Sequence, residues 1–433
     1  YANITTPLNV ATGTGNGAYA LYKQTAGERY VLGTSGDVNS LTMIIRSNVA
    51  AGYSGTLPHL IQIDPHYPRS ISTRTYTAYT EDYYGRPITQ VNGQDHIERY
   101  SELINHGTLK GIGNSLLIVG LQMHDGEHSP TVKNYGLMLG EYDSTNPNDG
   151  GERHVANTFM APQSNTSERR WEFYNMPGGK IELQVKESIA YNFGTVTPPS
   201  EKPHLTIFND GDIVLYGRDS VGIKTGNASN ELTYSKIILN TPIRINGDRS
   251  VGVEIAKLMD SGYGNVAAGA YDPRPAQIKV TIGDEANNYA GNAPSYDNSF
   301  VEEAIGLYIN KSTLNYRLGY FDFKFGDYAK NSTLITISNG KLYLDNNNTQ
   351  EIEITKGQNN FGVIVTGASS ELTLAPDIKI GTTSVPVNGT IALYAGNSGK
   401  IHFDTSNNIE TNGEGSHAVI LTGTGTVLND TAS

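Results

Sequence analysis

The chain has 433 residues, no cysteine and a formal charge of −12, from 31 Lys and Arg against 43 Asp and Glu. A net acidic chain without basic clusters is a poor partner for a phosphate backbone or an anionic membrane surface, so nucleic-acid binding is not expected. The lack of Cys removes disulfides, Cys-ligated zinc and thiol nucleophiles together. No run of about 18 apolar residues is present to span a membrane as a helix.

The chain opens Tyr1-Ala2-Asn3, without a basic-then-apolar leader, and reads as a mature or excised fragment. Gly is abundant at 48 residues, and Tyr (27) far outnumbers Phe (10) and Trp (1). Short alternating runs such as Lys180-Ile181-Glu182-Leu183-Gln184-Val185 and Lys341-Leu342-Tyr343-Leu344 are punctuated by turns such as Asn209-Asp210-Gly211-Asp212. That pattern predicts an all-β chain of many short strands.

In chain order, the first strand-like phrase is Tyr19-Ala20-Leu21-Tyr22-Lys23. A long aromatic stretch over 52–114 follows, with Tyr53, Tyr67, Tyr76, Tyr79, Tyr83, Tyr84 and Tyr100 beside His59, His66, His96 and His106. Exposed rings beside carboxylates and amides are the ingredients of a sugar site: an apolar face for stacking and directional hydrogen bonds for hydroxyls. On that ground Tyr76, Tyr79, Asp82, Tyr83, Tyr84 and Arg86 are the first candidate ligand contacts. The plainer alternative is that these rings hold the insertion against its scaffold. Residues 94–105 are the most helix-like segment of the chain.

The run His124-Asp125-Gly126-Glu127-His128 places two His four apart, but Gly126 and Ser129-Pro130 favour a turn and a third ligand is not evident. Asn146-Pro147-Asn148-Asp149-Gly150-Gly151-Glu152 lacks the spaced acidic ligands of a calcium loop. No metal and no cofactor is expected. Residues 141–178 carry the single tryptophan in Arg169-Arg170-Trp171-Glu172-Phe173-Tyr174, which makes Trp171 and Tyr174 the second candidate contacts. Adjacent carboxylates at Glu81-Asp82 and Glu302-Glu303 supply at most one acid each to a strand face. No Gly-x-Ser-x-Gly elbow, His-Glu-x-x-His or phosphate loop is present, and the chain is not expected to be an enzyme.

One phrase recurs: apolar, Gly or Ala, apolar, any residue, apolar. It stands at Val251-Gly252-Val253-Glu254-Ile255, Ile305-Gly306-Leu307-Tyr308-Ile309 and Phe361-Gly362-Val363-Ile364-Val365, more weakly at Val221-Gly222-Ile223-Lys224-Thr225. It returns at Ile391-Ala392-Leu393-Tyr394-Ala395 and His417-Ala418-Val419-Ile420-Leu421. The small residue advances by 30, 54, 56, 30 and 26, one or two units of roughly 28. Tyr135-Gly136-Leu137-Met138-Leu139 and Tyr19-Ala20-Leu21 extend the series upstream by about three and four units. A unit that cannot bury its own inner face must stack on neighbours. The reading is therefore a right-handed parallel β-helix of about 28 residues per coil, with loop-rich insertions in the N-terminal half. Asn-rich turns such as 345–348 would stack as amide ladders. The competing reading is a series of β-sandwich or barrel domains.

The repeated phrase, followed by Asn, Gly and Ser turns, resembles the passenger region of type V autotransporters, of the very large fusobacterial outer-membrane adhesin type. The resemblance covers residues 205–433 well and 1–204 poorly. It implies a surface-exposed, extracellular passenger, anchored through a C-terminal membrane β-barrel missing from this sequence. It implies binding to a host cell-surface glycan or receptor protein, or to partner bacteria. The organisation expected is an irregular, aromatic-rich head over 1–204 and a regular β-helical stalk over 205–433, monomeric and non-catalytic. Two alternatives are a β-helical polysaccharide lyase, hydrolase or tailspike, and a purely structural surface protein.

Overall fold

The computed structural model describes residues 2–4, 8–13, 20–24, 29–47, 59–63, 76–81, 87–93, 102–120, 131–142, 154–159, 169–193, 203–225, 234–255, 277–287, 299–345, 351–403 and 407–430. All described regular structure is strand, and the strands stack as a parallel β-helix. Each coil lays down a strand on each of three faces.

The first face runs Arg29–Leu32, Glu102–Asn105, Thr131–Asn134, Arg169–Asn175, Pro203–Asn209 and Tyr234–Leu239, each strand paired in parallel with the next. The second runs Thr42–Ser47, Thr108–Ile112, Leu137–Glu141, Lys180–Leu183, Asp212–Leu215 and Ile243–Ile245. Strand Gln277–Ile282 joins both faces, pairing at Ile238 with one and at Ile243 with the other. The third face is continuous from Ala20–Gln24 through Val221–Thr225 and Val251–Ile255 to His417–Leu421.

Alternation along each strand sends one set of side chains inward. On the second face Leu109, Met138, Ile181, Ile213, Ile243, Val280 and Phe323 form one buried column in register from coil to coil. This column explains the small residue in the repeat. A Cβ on Gly222 would lie 2.9 Å from Cδ1 of Ile243, one on Gly252 2.9 Å from Val280 Cγ1, and one on Gly306 3.3 Å from Phe323 Cδ1. The wide side chains of the second face thus occupy the space that a side chain on the third would need.

The register corrects the repeat in three places. The 54-residue advance is a single coil: Val251–Ile255 pairs directly with Ile305–Leu318, and residues 256–304 include a long excursion. The 56-residue advance is two coils, as the spacing predicts, with Leu334 in the small position of the middle one. Gly136 belongs to another column, the corner between the first and second faces, where a Cβ would collide with the Gly107 carbonyl oxygen. Ala20 sits in register with the residue before the small position, Ala20 pairing with His59. Coil length also varies. Steps of 28, 28, 30 and 26 residues hold downstream, whereas upstream coils advance by 29, 41 and 34. The extra residues lie between strands.

The helix-like reading of residues 94–105 fails where the chain is described: Glu102–Asn105 is a strand, held between two neighbouring coils. Leu103 is fully buried in the core, so tertiary pairing overrides local propensity. The amide ladder exists, at a different place. Asn105, Asn134, Asn175 and Asn209 close four successive first-face strands, each Nδ2 donating to the next Oδ1 at 2.8, 2.9 and 2.8 Å. Residues 346–348 lie outside the described residues.

The corner entering the third face is built from a left-handed residue followed by a small polar one. Glu187, Asp219, Arg249, Glu303, Asn331 and Asn359 take φ of 50–57°, and Gly389 and Gly415 continue the column. The next residue caps the coil before it: the Ser188 N–H donates to Ser220 Oγ, Ser220 to Ser250, Ser332 to Asn360 Oδ1, and Thr390 to Ser416. The polar side chain satisfies a backbone donor that the turn would otherwise leave buried and unpaired.

Candidate functional site

The aromatic stretch contains an antiparallel hairpin, Tyr76–Glu81 against Pro87–Gly93. It forms a two-stranded sheet of its own, separate from the shaft sheets. It is inserted between third-face strand His59–Ile63 and first-face strand Glu102–Asn105. Tyr76 pairs with Gly93 and Tyr79 with Gln90 in the backbone ladder. Asp82, Tyr83, Tyr84 and Arg86, which stand between its two strands in sequence, lie outside the described residues, as do the His124–His128 run and residues 146–152.

The second cluster lies on first-face strand Arg169–Asn175. Trp171 pairs in the backbone with Leu205. Tyr174 is half-buried, its ring stacked on Phe208 of the next coil at 4.7 Å and 11°. Its hydroxyl donates to Glu172 Oε2 at 3.0 Å. Inside the same coil the core is aromatic: Phe173, Tyr191 and Phe193 meet edge-on or stacked at 5.7–6.4 Å. Full burial pushes the Tyr191 hydroxyl well above its ordinary pKa.

A charged corner was not picked out from the sequence. It lies where the second face turns toward the third. Tyr216 donates to Glu285 Oε2 at 3.0 Å, and Arg244 Nη1 reaches Glu285 at 2.9 Å and Asp284 at 3.5 Å. Burial, with the hydrogen bond to Glu285, raises the Tyr216 pKa. Burial alone would lower that of Arg244, but Asp284, Asp212 and Glu285 outweigh it and raise it. Asp248 is 3% exposed and accepts the Glu302 N–H at 2.8 Å. Burial lifts the carboxyls of both Asp248 and Asp284 above their usual range. The corner is hidden from sequence reading because the 54-residue excursion separates Asp248 from Glu302, which belong to adjacent coils.

Elsewhere carboxylates meet cations one coil away: Glu102 with Lys133, Lys110 with Glu141, Lys224 with Glu254, Glu302 with Lys330, and Glu351 with Lys379. Glu302 thus pairs with Lys330, while its neighbour Glu303 occupies a left-handed turn position and is exposed. Among the described residues no three His, Asp or Glu side chains are placed to hold one metal ion. No family model, curated protein or solved structure matches the chain. The fold and these sites define a parallel β-helix of stacked coils with an inserted hairpin.

Proposed function

We propose that the chain is the passenger fragment of a bacterial surface adhesin, which binds a host-cell glycan or receptor protein, or a partner bacterium, without chemical turnover. The observation that carries this reading is the hairpin. A Tyr-bearing antiparallel ribbon is inserted into an otherwise parallel stack and pairs with neither shaft sheet. Long insertions on a rigid scaffold are where recognition residues concentrate. The shaft supports the reading because its outward charges are tied to each other from coil to coil. On this proposal the fragment is extracellular, carried at the outer membrane by a β-barrel beyond this sequence.

The alternative is a β-helical enzyme that cleaves extracellular polysaccharide. The raised carboxyls of Asp248 and Asp284 favour it, since an acid catalyst needs such a pKa. Against it, Asp248 is closed to substrate by burial and Asp284 is bound to Arg244. The test is a whole-cell and glycan-array binding assay, run beside a variant with Tyr76, Tyr79, Tyr83 and Tyr84 changed to Ala. Saturable binding that the variant loses while keeping its circular dichroism supports the adhesin and its hairpin. Shortened glycans would transfer the case to the enzyme.

A further inference from the structure

We propose that the third face of the last five coils, within residues 305–420, is a binding strip for a neutral oligosaccharide lying along the shaft axis. The inference rests on the adhesin reading and gives it a recognition surface apart from the hairpin.

Five strand segments stack in register here: 305–309, 333–338, Phe361–Thr366, Ile391–Gly396 and His417–Leu421. None of them contains Asp, Glu, Lys or Arg. Third-face strands upstream such as Ser115–Gly120 and Ile189–Asn192 are uncharged as well, so the strip is set apart by its rings and by the charged strands beside it. In the same coils Lys341, Glu371 and Lys400 stand on Thr333–Leu344, Ser370–Leu374 and Lys400–Phe403, and Glu351, Asp377 and Lys379 on the separate sheet of Glu351–Ile354 and Asp377–Ile380. Two coils upstream on the third face itself, Lys224 pairs with Glu254 at 3.2 Å. Those two occupy the outward column that continues as Tyr308, Thr336, Ile364, Tyr394 and Ile420. Beyond the Lys224 and Glu254 pair the column is aromatic, aliphatic and hydroxyl-bearing for five coils, a length of about 19 Å at the usual strand spacing.

The side chains present there suit a sugar chain. Tyr308, Tyr394 and Phe361 are part-exposed rings, with Phe361 edge-on to Tyr394 at 6.2 Å. Ring surfaces of this kind stack against the C–H faces of sugars. The phenols are held in place from the neighbouring coil. Ser338 Oγ donates to the Tyr308 hydroxyl at 3.0 Å, which leaves the phenolic proton directed elsewhere, and the Tyr394 hydroxyl bonds Thr422 Oγ1 at 2.7 Å. Fixed hydroxyls beside ring faces give directional contacts at little entropic cost. The absence of charge selects against sulfated or sialylated chains, whose anions would lose hydration with no cation to receive them. The repeat of the column along the axis favours an extended chain over a single sugar.

The test introduces into the strip the ion pair that its own column carries upstream. Ile364→Lys with Tyr394→Glu reproduces the order of Lys224 and Glu254 on adjacent coils, so the fold already accepts it. Wild type, this double variant and the Tyr76→Ala/Tyr79→Ala hairpin variant are titrated against neutral oligosaccharides of several lengths and their sialylated and sulfated counterparts. The proposal expects neutral chains to bind, affinity to rise with length, and the double variant to lose at least tenfold. Should the double variant unfold, Thr336→Lys in the same column gives the same reading. Glycan binding lost only in the hairpin variant, or a preference for charged glycans, would overturn the strip and leave the adhesin standing. Binding to cells without binding to any oligosaccharide would do the same. No binding to cells or glycans would remove both.

Discussion

The guanidinium of Arg249 holds the carboxylate of Asp219 in a two-pronged contact, Nε to Oδ1 and Nη2 to Oδ2, each 2.7 Å long. The two residues occupy the same left-handed corner position on adjacent coils, with φ of 50° and 57°. A non-glycine residue in that region costs about 1–2 kcal/mol, which glycine avoids. At this corner a half-exposed ion pair worth up to about 1 kcal/mol offsets part of that cost. Glu187, in the same column with φ 57°, is exposed. Replacing Glu187 by Gly is expected to stabilise the chain by a few tenths to about 1 kcal/mol. Arg249→Gly relieves the same backbone but loses the pair, and is expected to fall about 1 kcal/mol short of Glu187→Gly. Guanidinium unfolding midpoints of the two variants check the ordering.

The asparagine ladder gives a larger effect. Asn134 accepts from Asn105 and donates to Asn175, and is 2% exposed. Asn134→Leu leaves the Asn105 donor and the Asn175 acceptor facing an apolar group. Each unsatisfied buried partner costs about 1–3 kcal/mol, so a loss of about 2–4 kcal/mol is expected from equilibrium unfolding. Loss below about 0.5 kcal/mol would mean that the ladder is ornamental to stability.

Packing between the second and third faces sets a third expectation. A Cβ on Gly252 would meet the Gly306 carbonyl oxygen at 2.7 Å and Val280 at 2.9 Å. Gly252→Val is expected to destabilise by about 1–3 kcal/mol through overpacking. In the same column Leu334 is fully buried, and Leu334→Ala is expected to cost about 2–5 kcal/mol through a cavity. Substitutions in opposite directions at equivalent positions should both destabilise, read as shifts in melting temperature.

Two carboxyls should give opposite pH dependence. Burial holds Asp248 above its ordinary value of 3.8, so the fold prefers its neutral form. Its contribution is greatest at low pH and is lost as pH rises from 3.8 through the raised value. Asp248→Asn, which keeps an acceptor for the Glu302 N–H, is expected to be more stable than wild type at pH 7 and equal to it at pH 3. Glu371 is the reverse. Its hydrogen bond with Lys341 holds it below the ordinary 4.5, so its contribution is present above 4.5 and is lost as pH falls through the lowered value. Glu371→Gln is expected to be less stable than wild type at pH 7, with the gap closing in acid. Thermal melts across pH 3–8 check both signs.

Much of the architecture was legible in sequence because one physical constraint repeats. The small residue at 222, 252 and 306 marks a close approach between faces, it returns at 362, 392 and 418, and only a stack of coils imposes it at regular intervals. What misled was local. Leu334 breaks the column without changing the coil, and the excursion after Ile255 lengthens one coil to resemble two. Gly136 carries the right neighbours in the wrong column. The asparagine ladder escaped because Asn is common throughout, and only register distinguishes the four that stack. The left-handed corner was masked upstream, where Glu187, Asp219, Arg249 and Glu303 stand in place of the Asn and Gly that signal it downstream. The ion pairs across coils were in principle readable as opposite charges one coil apart, once the coil lengths are known.

The central claim is recognition without turnover, and its most direct test is a single incubation. The purified chain is mixed with epithelial cells, with bacterial cells and with the array oligosaccharides. Saturable binding is measured, and the bound glycans are then recovered and weighed by mass spectrometry. The account predicts binding to at least one of these, with every recovered glycan at its original mass. Glycans returned shortened, or unsaturated at a new end, would contradict it and make the chain an enzyme.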